Sequence, residues 1–397
     1  MLFKKSYQVW RMRSYKSAFA VATCLFNCVT WAELQPEPLG LVETLPTEYP
    51  DHWIMVHDGQ LSLEGKIQIV DPLAPTTSEQ VKGMLTASLV GASYQWSNQR
   101  HEHYVAETFY SRNSRGGERT DVLALYDSDS LTLSGEIALP PKRVSGGAPK
   151  RTHSGLTPDE RFMMLYNFTP AQSVSVVDLE ARAFVAEIET PGCALVLPNG
   201  DRNFTSICSN GMLRTTHLDG DGKMSGYTST EVLFDPNVDP IFEHAAITNG
   251  TAHFPTFEGR VLPINLSLDT VSAGGAWWLS GMDERNWRPG GLLPVTADSA
   301  GLGYFLMNPA GADGTQDDGG SEVWVFDLIE RKRLGRIALE NWGLALGTSG
   351  SGKNRILAVT AIGQAGFQVD IYRIPSGEFV HTLGITMMPP VYVYGLR

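Results

Sequence analysis

Four short segments carry residue types that could do chemistry. Gly347-Thr-Ser-Gly-Ser-Gly-Lys353 has the glycine and lysine spacing of a phosphate-binding loop. Asn354 stands where such a loop needs a hydroxyl for magnesium, and apolar Ile356–Val359 follows as a strand, so no helix N-terminus faces a phosphate. A hairpin turn is expected there. Asp219-Gly-Asp-Gly-Lys223 opens like a calcium loop, but Thr230 occupies the twelfth position, where a bidentate Glu is required, so it too reads as a turn. Asp313–Gly320 gathers carboxylates and reads as a rim loop. His101-Glu-His103 places two imidazoles on one side of a strand, with no third ligand in view. The chain has no Gly-x-Ser-x-Gly elbow and no Cys–His pair in a nucleophile context. Neither a catalytic residue nor a metal site is assigned to it.

The elements that would position these residues repeat. An apolar strand ends in Asp or a small polar residue, turns, and is followed by a second strand. The phrase recurs at Gln68–Asp71, Leu123–Asp127, Val174–Asp178, Arg214–Asp219, Val261–Ser267, Val323–Asp327 and Val369–Ser376. A spacing of roughly 40 to 60 residues between all-strand units is that of propeller blades. The expected fold is therefore all-β, a seven-bladed β-propeller. The 40 glycines suit a fold of many tight turns. Leu156–Arg161 reads as a hairpin turn, Phe109–Arg112 and Val122–Tyr126 as strands, and Leu133–Leu139 as an outermost strand. The long loops Asn113–Thr120 and Asn308–Ser321 both join second to third strands. They should share one face with the connection Gly83–Ser93, and that face is where a propeller places function.

Residues 1–32 read as a signal peptide. Lys4, Lys5, Arg11, Arg13 and Lys16 precede the short apolar run Ser17–Ala32, with Thr30-x-Ala32 as the cleavage site. Residues 33–50, rich in Pro and Glu, are expected to form an extended arm, and 51–397 the propeller. Removing 1–32 takes away five basic residues and no acidic ones, moving the net charge from −12 to −17. So acidic a chain repels nucleic acid and anionic membranes. Of four cysteines, Cys24 and Cys28 leave with the signal segment, and the exported pair Cys193 and Cys208 is expected to form a disulfide. Trp277–Trp278 reads as core or interface. Asn167, Asn203, Asn249 and Asn265 lie in glycosylation-type triplets, which occur often by chance.

Longer phrases carry a resemblance. They are Phe109-Tyr-Ser-Arg112 with Arg115–Asp121, Leu139-Pro-Pro-Lys-Arg143, Leu156-Thr-Pro-Asp159, and Phe168-Thr-Pro-Ala171 with Val176–Leu179. Pro191-Gly-Cys193, Ile207–Gly211, Asp239-Pro-Ile-Phe242, Ala252-His-Phe254 with Gly259, and Trp287–Gly291 follow in order. In this set the chain resembles the heavy subunit of the periplasmic amine dehydrogenases, the methylamine and aromatic amine enzymes. Pro140–Arg143 and Asp239–Phe242 bring it closer to the aromatic branch. The resemblance implies two heavy and two light subunits, with tryptophan tryptophylquinone on the light subunit. It also implies oxidation of a primary amine to aldehyde and ammonia, with electrons passed to a cupredoxin. The heavy subunit would support the light one and line part of the substrate channel, so no cofactor belongs to this chain. Two departures stand out. Leu89 falls where the family places a channel Phe, and Gln316 where the aromatic branch carries a His. The rival expectations are a partnerless periplasmic propeller, acting as a binding or scaffold protein, and a lactonase-like propeller with an axial metal.

Overall fold

The repeated Asp is a turn device. At Asp127, Asp178, Asp219 and Asp327 the carboxylate accepts hydrogen bonds from backbone N–H groups two and then three or four residues on, at 2.8 to 3.2 Å. Such a carboxylate replaces the strand partner that the turning backbone has lost. Four residues after three of these carboxylates, Leu131, Arg182 and Arg331 adopt φ values of 54°, 53° and 55°. This left-handed residue reverses the chain, and in each case the register of the flanking strands shifts by a bulge. One local chemistry thus repeats the same hairpin around the molecule.

The computed structural model describes residues 44–58, 65–87, 93–112, 116–141, 143–144, 150–364, 366–385 and 391–395. The expected signal peptide and most of the expected arm lie outside them. The end of that arm packs on the body: Leu45 N–H donates to the Asp129 carbonyl, and Tyr49 is buried.

The described strands form six antiparallel sheets. Ile54–Asp58, Gly65–Val70 and Val81–Ala87 make the first, and Ser93–Ser97, Glu102–Tyr110, Arg119–Asp127 and Leu133–Leu139 the second. The third runs from Arg143–Val144 and Ser154–Leu156 through Phe162–Thr169 and Ser173–Asp178 to Ala183–Glu189. Cys193–Asn199 to Met224–Ser229 form the fourth, and Ala246–Thr248 to Trp277–Trp278 the fifth. Val391–Gly395 returns to pair with Ile54–Asp58, Val393 opposite Val56, so the end of the chain completes the sheet begun at its start. Mixed hydrophobic clusters join each sheet to the next. Met163 and Leu165 pack with Leu123, Phe204 with Val176, and Phe254 with Leu213. Trp324 packs with Val261, Val369 with Val56, and Val105 with Ile69. The result is a closed ring, a β-propeller.

The expected count of seven blades is not borne out, because seven separate sheets do not form. The sixth sheet has eight strands, from Arg288–Pro289 to Glu378–Thr382. Its centre is the 18-residue strand Lys332–Ser349, whose first half pairs with Gly320–Asp327 and whose second half pairs with Ile356–Gly363. Elsewhere Pro breaks the chain after an outer strand, as at Pro140 and Pro191, by removing a donor and restricting the preceding residue. Ile337–Leu344 contains no Pro, so the extended backbone continues through it, although Leu339, Glu340 and Asn341 pair with neither neighbouring strand. The strand expected over Phe109–Arg112 ends at Tyr110. The connection expected over Gly83–Ser93 starts later, since Gly83–Ala87 is strand and Ser93 begins the next.

Candidate functional site

Within each antiparallel sheet the first and third strands run opposite to the second and fourth. Connections that leave second and fourth strands therefore emerge on one face. The ends of Glu102–Tyr110 and Leu302–Asn308 lie there, as do Ala87 and Ser93, which flank the segment holding Leu89. Leu89 itself lies outside the described residues. On this same face two second strands end in exposed aromatic side chains: Phe109 at 45 % and Phe168 at 54 % exposure. Phe109 and Phe168 occupy equivalent places in neighbouring sheets. Exposed aromatic residues grouped on one face mark a docking surface.

The long loop Asn308–Ser321 is tied inward. Gly291 N–H donates to the Gln316 carbonyl at 2.7 Å, and Trp342 Nε1–H donates to the Asp318 carbonyl at 2.5 Å. Arg288 pairs with Asp313 at 3.0 Å. Gln316 thus contributes its backbone to this fold, and it is among the residues that line a pocket with Arg288 and Phe257. Lys150 pairs with Glu243 on the same side of the ring. Burial holds its ammonium below the ordinary lysine range, against the opposing pull of Asp317.

Cys193 opens the first strand of the fourth sheet and lies opposite Cys208 on the second, and the two are disulfide-bonded as expected. The bond closes a loop with a sequence separation of 15, which by chain entropy stabilises the fold by about 3 kcal/mol. A melt with reductant should show a midpoint several degrees lower than one without. Equal midpoints would remove the bond from the stability of the fold.

The two imidazoles of His101-Glu-His103 are not brought together. His101 sits in a turn at φ 52°, which breaks strand alternation, whereas His103 is buried in the second strand of its sheet. His103 Nδ1 lies 2.8 Å from the Tyr94 hydroxyl, and its Nε2 lies 3.1 Å from that of Tyr49. Tyr49 donates its own proton to the Ser128 carbonyl at 2.5 Å, so Nε2 must donate to Tyr49 and Nδ1 accept from Tyr94. Trp96 stacks on Tyr49 at 5.7 Å. Sequence reasoning missed this cluster, because Tyr49, Tyr94, Trp96 and His103 come from three separate segments with no shared spacing.

The Gly347–Lys353 segment is a strand end and turn, as expected. Ser349 Oγ bonds the Asp51 and Trp53 carbonyls, and Gly350 N–H bonds the Asp51 carbonyl as well, so the segment ties down the residues that lead into Ile54–Asp58. In the Asp219 turn the carboxylate is consumed by the turn's own N–H groups. Trp277 is core, while Trp278 is half-exposed with the Arg285 guanidinium 3.3 Å from its ring centre. Among the described residues no three His, Cys, Asp or Glu side chains are grouped as metal ligands.

A closed propeller with aromatic side chains and long connections gathered on one face belongs to the class of propellers that present a docking surface. Comparison with known proteins narrows this. The family described as "Methylamine dehydrogenase heavy chain (MADH)" matches residues 76–384, and the chain belongs to that family. It is 28 % identical over 336 residues to the methylamine dehydrogenase heavy chain of Methylobacillus flagellatus, covering 81 % of this chain and 82 % of the relative. It is 31 % identical over 193 residues to that of Paracoccus versutus, covering 47 % and 44 %. Among solved structures, the periplasmic gluconolactonase PpgL of Pseudomonas aeruginosa aligns with a TM-score of 0.56 at 12 % identity, over 87 % of this chain and 100 % of that one. The dihydro-heme d1 dehydrogenase NirN aligns at 0.52 and 14 % identity, over 90 % and 68 %. These two share the fold alone.

Proposed function

We propose that this chain is the non-catalytic heavy subunit of an exported, periplasmic amine dehydrogenase. It would hold a small light subunit on the face that carries Phe109, Phe168 and the long connections. Membership of the heavy-chain family over residues 76–384 carries the proposal, and the exposed aromatic side chains on one face agree with it. The light subunit would bring tryptophan tryptophylquinone, which supplies the oxidation of a primary amine to aldehyde and ammonia and passes electrons to a cupredoxin. This chain's part is to seat that subunit, exclude water from the joint and shape the substrate entrance. Two heavy and two light subunits form the proposed assembly.

The test is to purify the protein from its native periplasm and record the intact masses and visible spectrum of what co-elutes. A small second chain with quinone absorbance that bleaches on adding a primary amine is the expected result. A lone colourless chain would instead make this a partnerless propeller.

Leu89 is the proposed channel residue, and it decides how wide the entrance is. A Leu89→Phe change should alter the ratio of kcat/KM for a short alkylamine to that for an arylalkylamine by about tenfold, the scale of one reshaped apolar contact. Steady-state rates on both amines measure it, and an unchanged ratio would take Leu89 out of the channel.

A further inference from the structure

Where one sheet meets the next, the start of a second strand faces a turn of the following sheet. Between the second and third sheets this contact is an ion pair. Arg182, four residues after Asp178, pairs with Glu102, the first residue of Glu102–Tyr110. Tyr104, two residues on, donates its hydroxyl to the same carboxylate at 2.7 Å. Between the fourth and fifth sheets, Asn203, the first residue of Asn203–Cys208, donates to Asp269 at 2.8 Å.

Between the fifth and sixth sheets the equivalent places lack an acid. Arg331 stands four residues after Asp327, at φ 55° against 53° for Arg182. Thr251, the first residue of Thr251–Pro255, takes the place of Glu102, and His253 that of Tyr104. With Arg331 these two line a pocket of ≈ 380 Å³, on the face opposite Phe109 and Phe168. Among the described residues no Asp or Glu lines it, and Arg331 makes no hydrogen bond or ion pair. The Asp327 carboxylate is spent on the N–H groups of Ile329 and Glu330. His253 is 6 % exposed, and its Nδ1 has no hydrogen-bond partner. Buried polar atoms are nearly always satisfied, so an unmet one beside a free guanidinium points to a ligand. Asn265 also lines the pocket, opposite Thr251 in the register. Its carbonyl oxygen accepts from Ser267 N–H, which leaves its amide N–H groups to donate. Burial, and then the Arg331 charge, hold His253 down to about 4, so the ring is neutral at pH 7.

We propose that this pocket binds a small carboxylate, whose oxygens take the place that the Glu102 side chain fills between the second and third sheets. Arg331 is its cation, and His253 and Asn265 are its neutral donors. A planar guanidinium suits a carboxylate, and one positive charge matches one negative. A metal ion would meet Arg331 and find no carboxylate ligand. The pocket lies away from the proposed docking face, so it stands whether or not a light subunit is bound.

Isothermal titration of the purified protein, in whatever assembly it is isolated, tests this with butyrate as probe and butyramide as its uncharged counterpart. Butyrate should bind at a saturable site, with butyramide about tenfold weaker or worse. Arg331→Asn should weaken butyrate by a similar factor; Asn tolerates the left-handed backbone at this position. Thr251→Glu supplies the carboxylate from within the chain and should abolish butyrate binding. Melting curves identify any variant that fails to fold, and if Arg331→Asn is one, Thr251→Glu and the butyramide comparison still decide. Absence of saturable heat up to about 20 mM butyrate, or equal affinity for butyrate and butyramide, would overturn the proposal. So would a folded Arg331→Asn protein that binds butyrate as the parent does. Inorganic phosphate binding tighter than butyrate would also overturn it, and make the pocket a phosphate site.

Discussion

Replacing Phe109 and Phe168 together by Asp is expected to release the light subunit from an otherwise intact propeller. The two rings are 45 % and 54 % exposed at the ends of neighbouring second strands, on the face that also carries the long connections. An aromatic anchor buried at an interface contributes 2 kcal/mol or more, and an Asp in its place would also bury an unpaired charge. Two such changes should weaken the complex by about 4 kcal/mol, on the order of a thousandfold in Kd. Neither change breaks a core contact, so stability should move by only about 0.5 kcal/mol per site. Titration of separated subunits gives the first quantity and a urea midpoint the second. A variant that still binds at parental affinity would move the docking surface elsewhere on the ring. A variant that loses stability together with binding would show that the rings serve the fold.

Much of this architecture was legible because its chemistry is local. An Asp that caps its own turn within four residues needs no distant partner, so Asp127, Asp178, Asp219 and Asp327 announce their hairpins in the sequence. The Leu156–Arg161 turn and the outer strand Leu133–Leu139 were legible for the same reason. Phe109 and Phe168 stand inside phrases that suggest the family, yet strand alternation does not say that their ends of the strands face outward. Continuity across Ile337–Leu344 was not legible either. What joins the two halves of the sixth sheet is the absence of a breaker, and a missing signal has no pattern to find. Non-local sites were the least visible. A cavity at the ring axis is lined from all six sheets, and His103 is satisfied by tyrosines from two other segments. Spacing along the chain carries no trace of either, since closure of the ring creates both. Cys193 and Cys208 could be paired from the sequence only because the expected removal of residues 1–32 would leave no other thiols.

Lowering the pH from 7 to 5 should strip most of the stability from this protein, through imidazoles that the fold keeps neutral. Burial pushes His57 down to about 4 and His103 down to about 3. Burial, and then Lys150, pushes His153 down to about 3. The hydrogen bonds explain why charge is excluded. His103 Nδ1 accepts from Tyr94, and His153 Nδ1 accepts from the Lys150 backbone N–H at 3.0 Å. A proton on either nitrogen would set two donors against each other. The unfolded chain takes up protons near pH 6.5, whereas the folded chain resists them until pH 3 to 4. Stability from these groups is therefore complete above 6.5 and falls as the pH drops toward the folded values. Each group loses about 1.4 kcal/mol per pH unit in that window. Three groups over the 1.5 units below 6.5 give about 6 kcal/mol, comparable with the whole stability of many domains. Carboxylates act elsewhere. Hydrogen bonds from Ser130 hold Asp127 below its usual 3.8, so its contribution survives to more acid pH. Urea unfolding at pH 7, 6 and 5 measures the slope, expected from these three groups to be about 2 kcal/mol between pH 7 and 6 and about 4 kcal/mol between pH 6 and 5. His103→Gln, which keeps one donor and one acceptor but cannot titrate, should reduce that slope by one group's share, at most about 1.4 kcal/mol per pH unit, even if it lowers stability at pH 7. A flat profile between pH 7 and 5 would mean that these imidazoles are hydrated and charged in the folded chain. The closed ring around His103 would then be open to water.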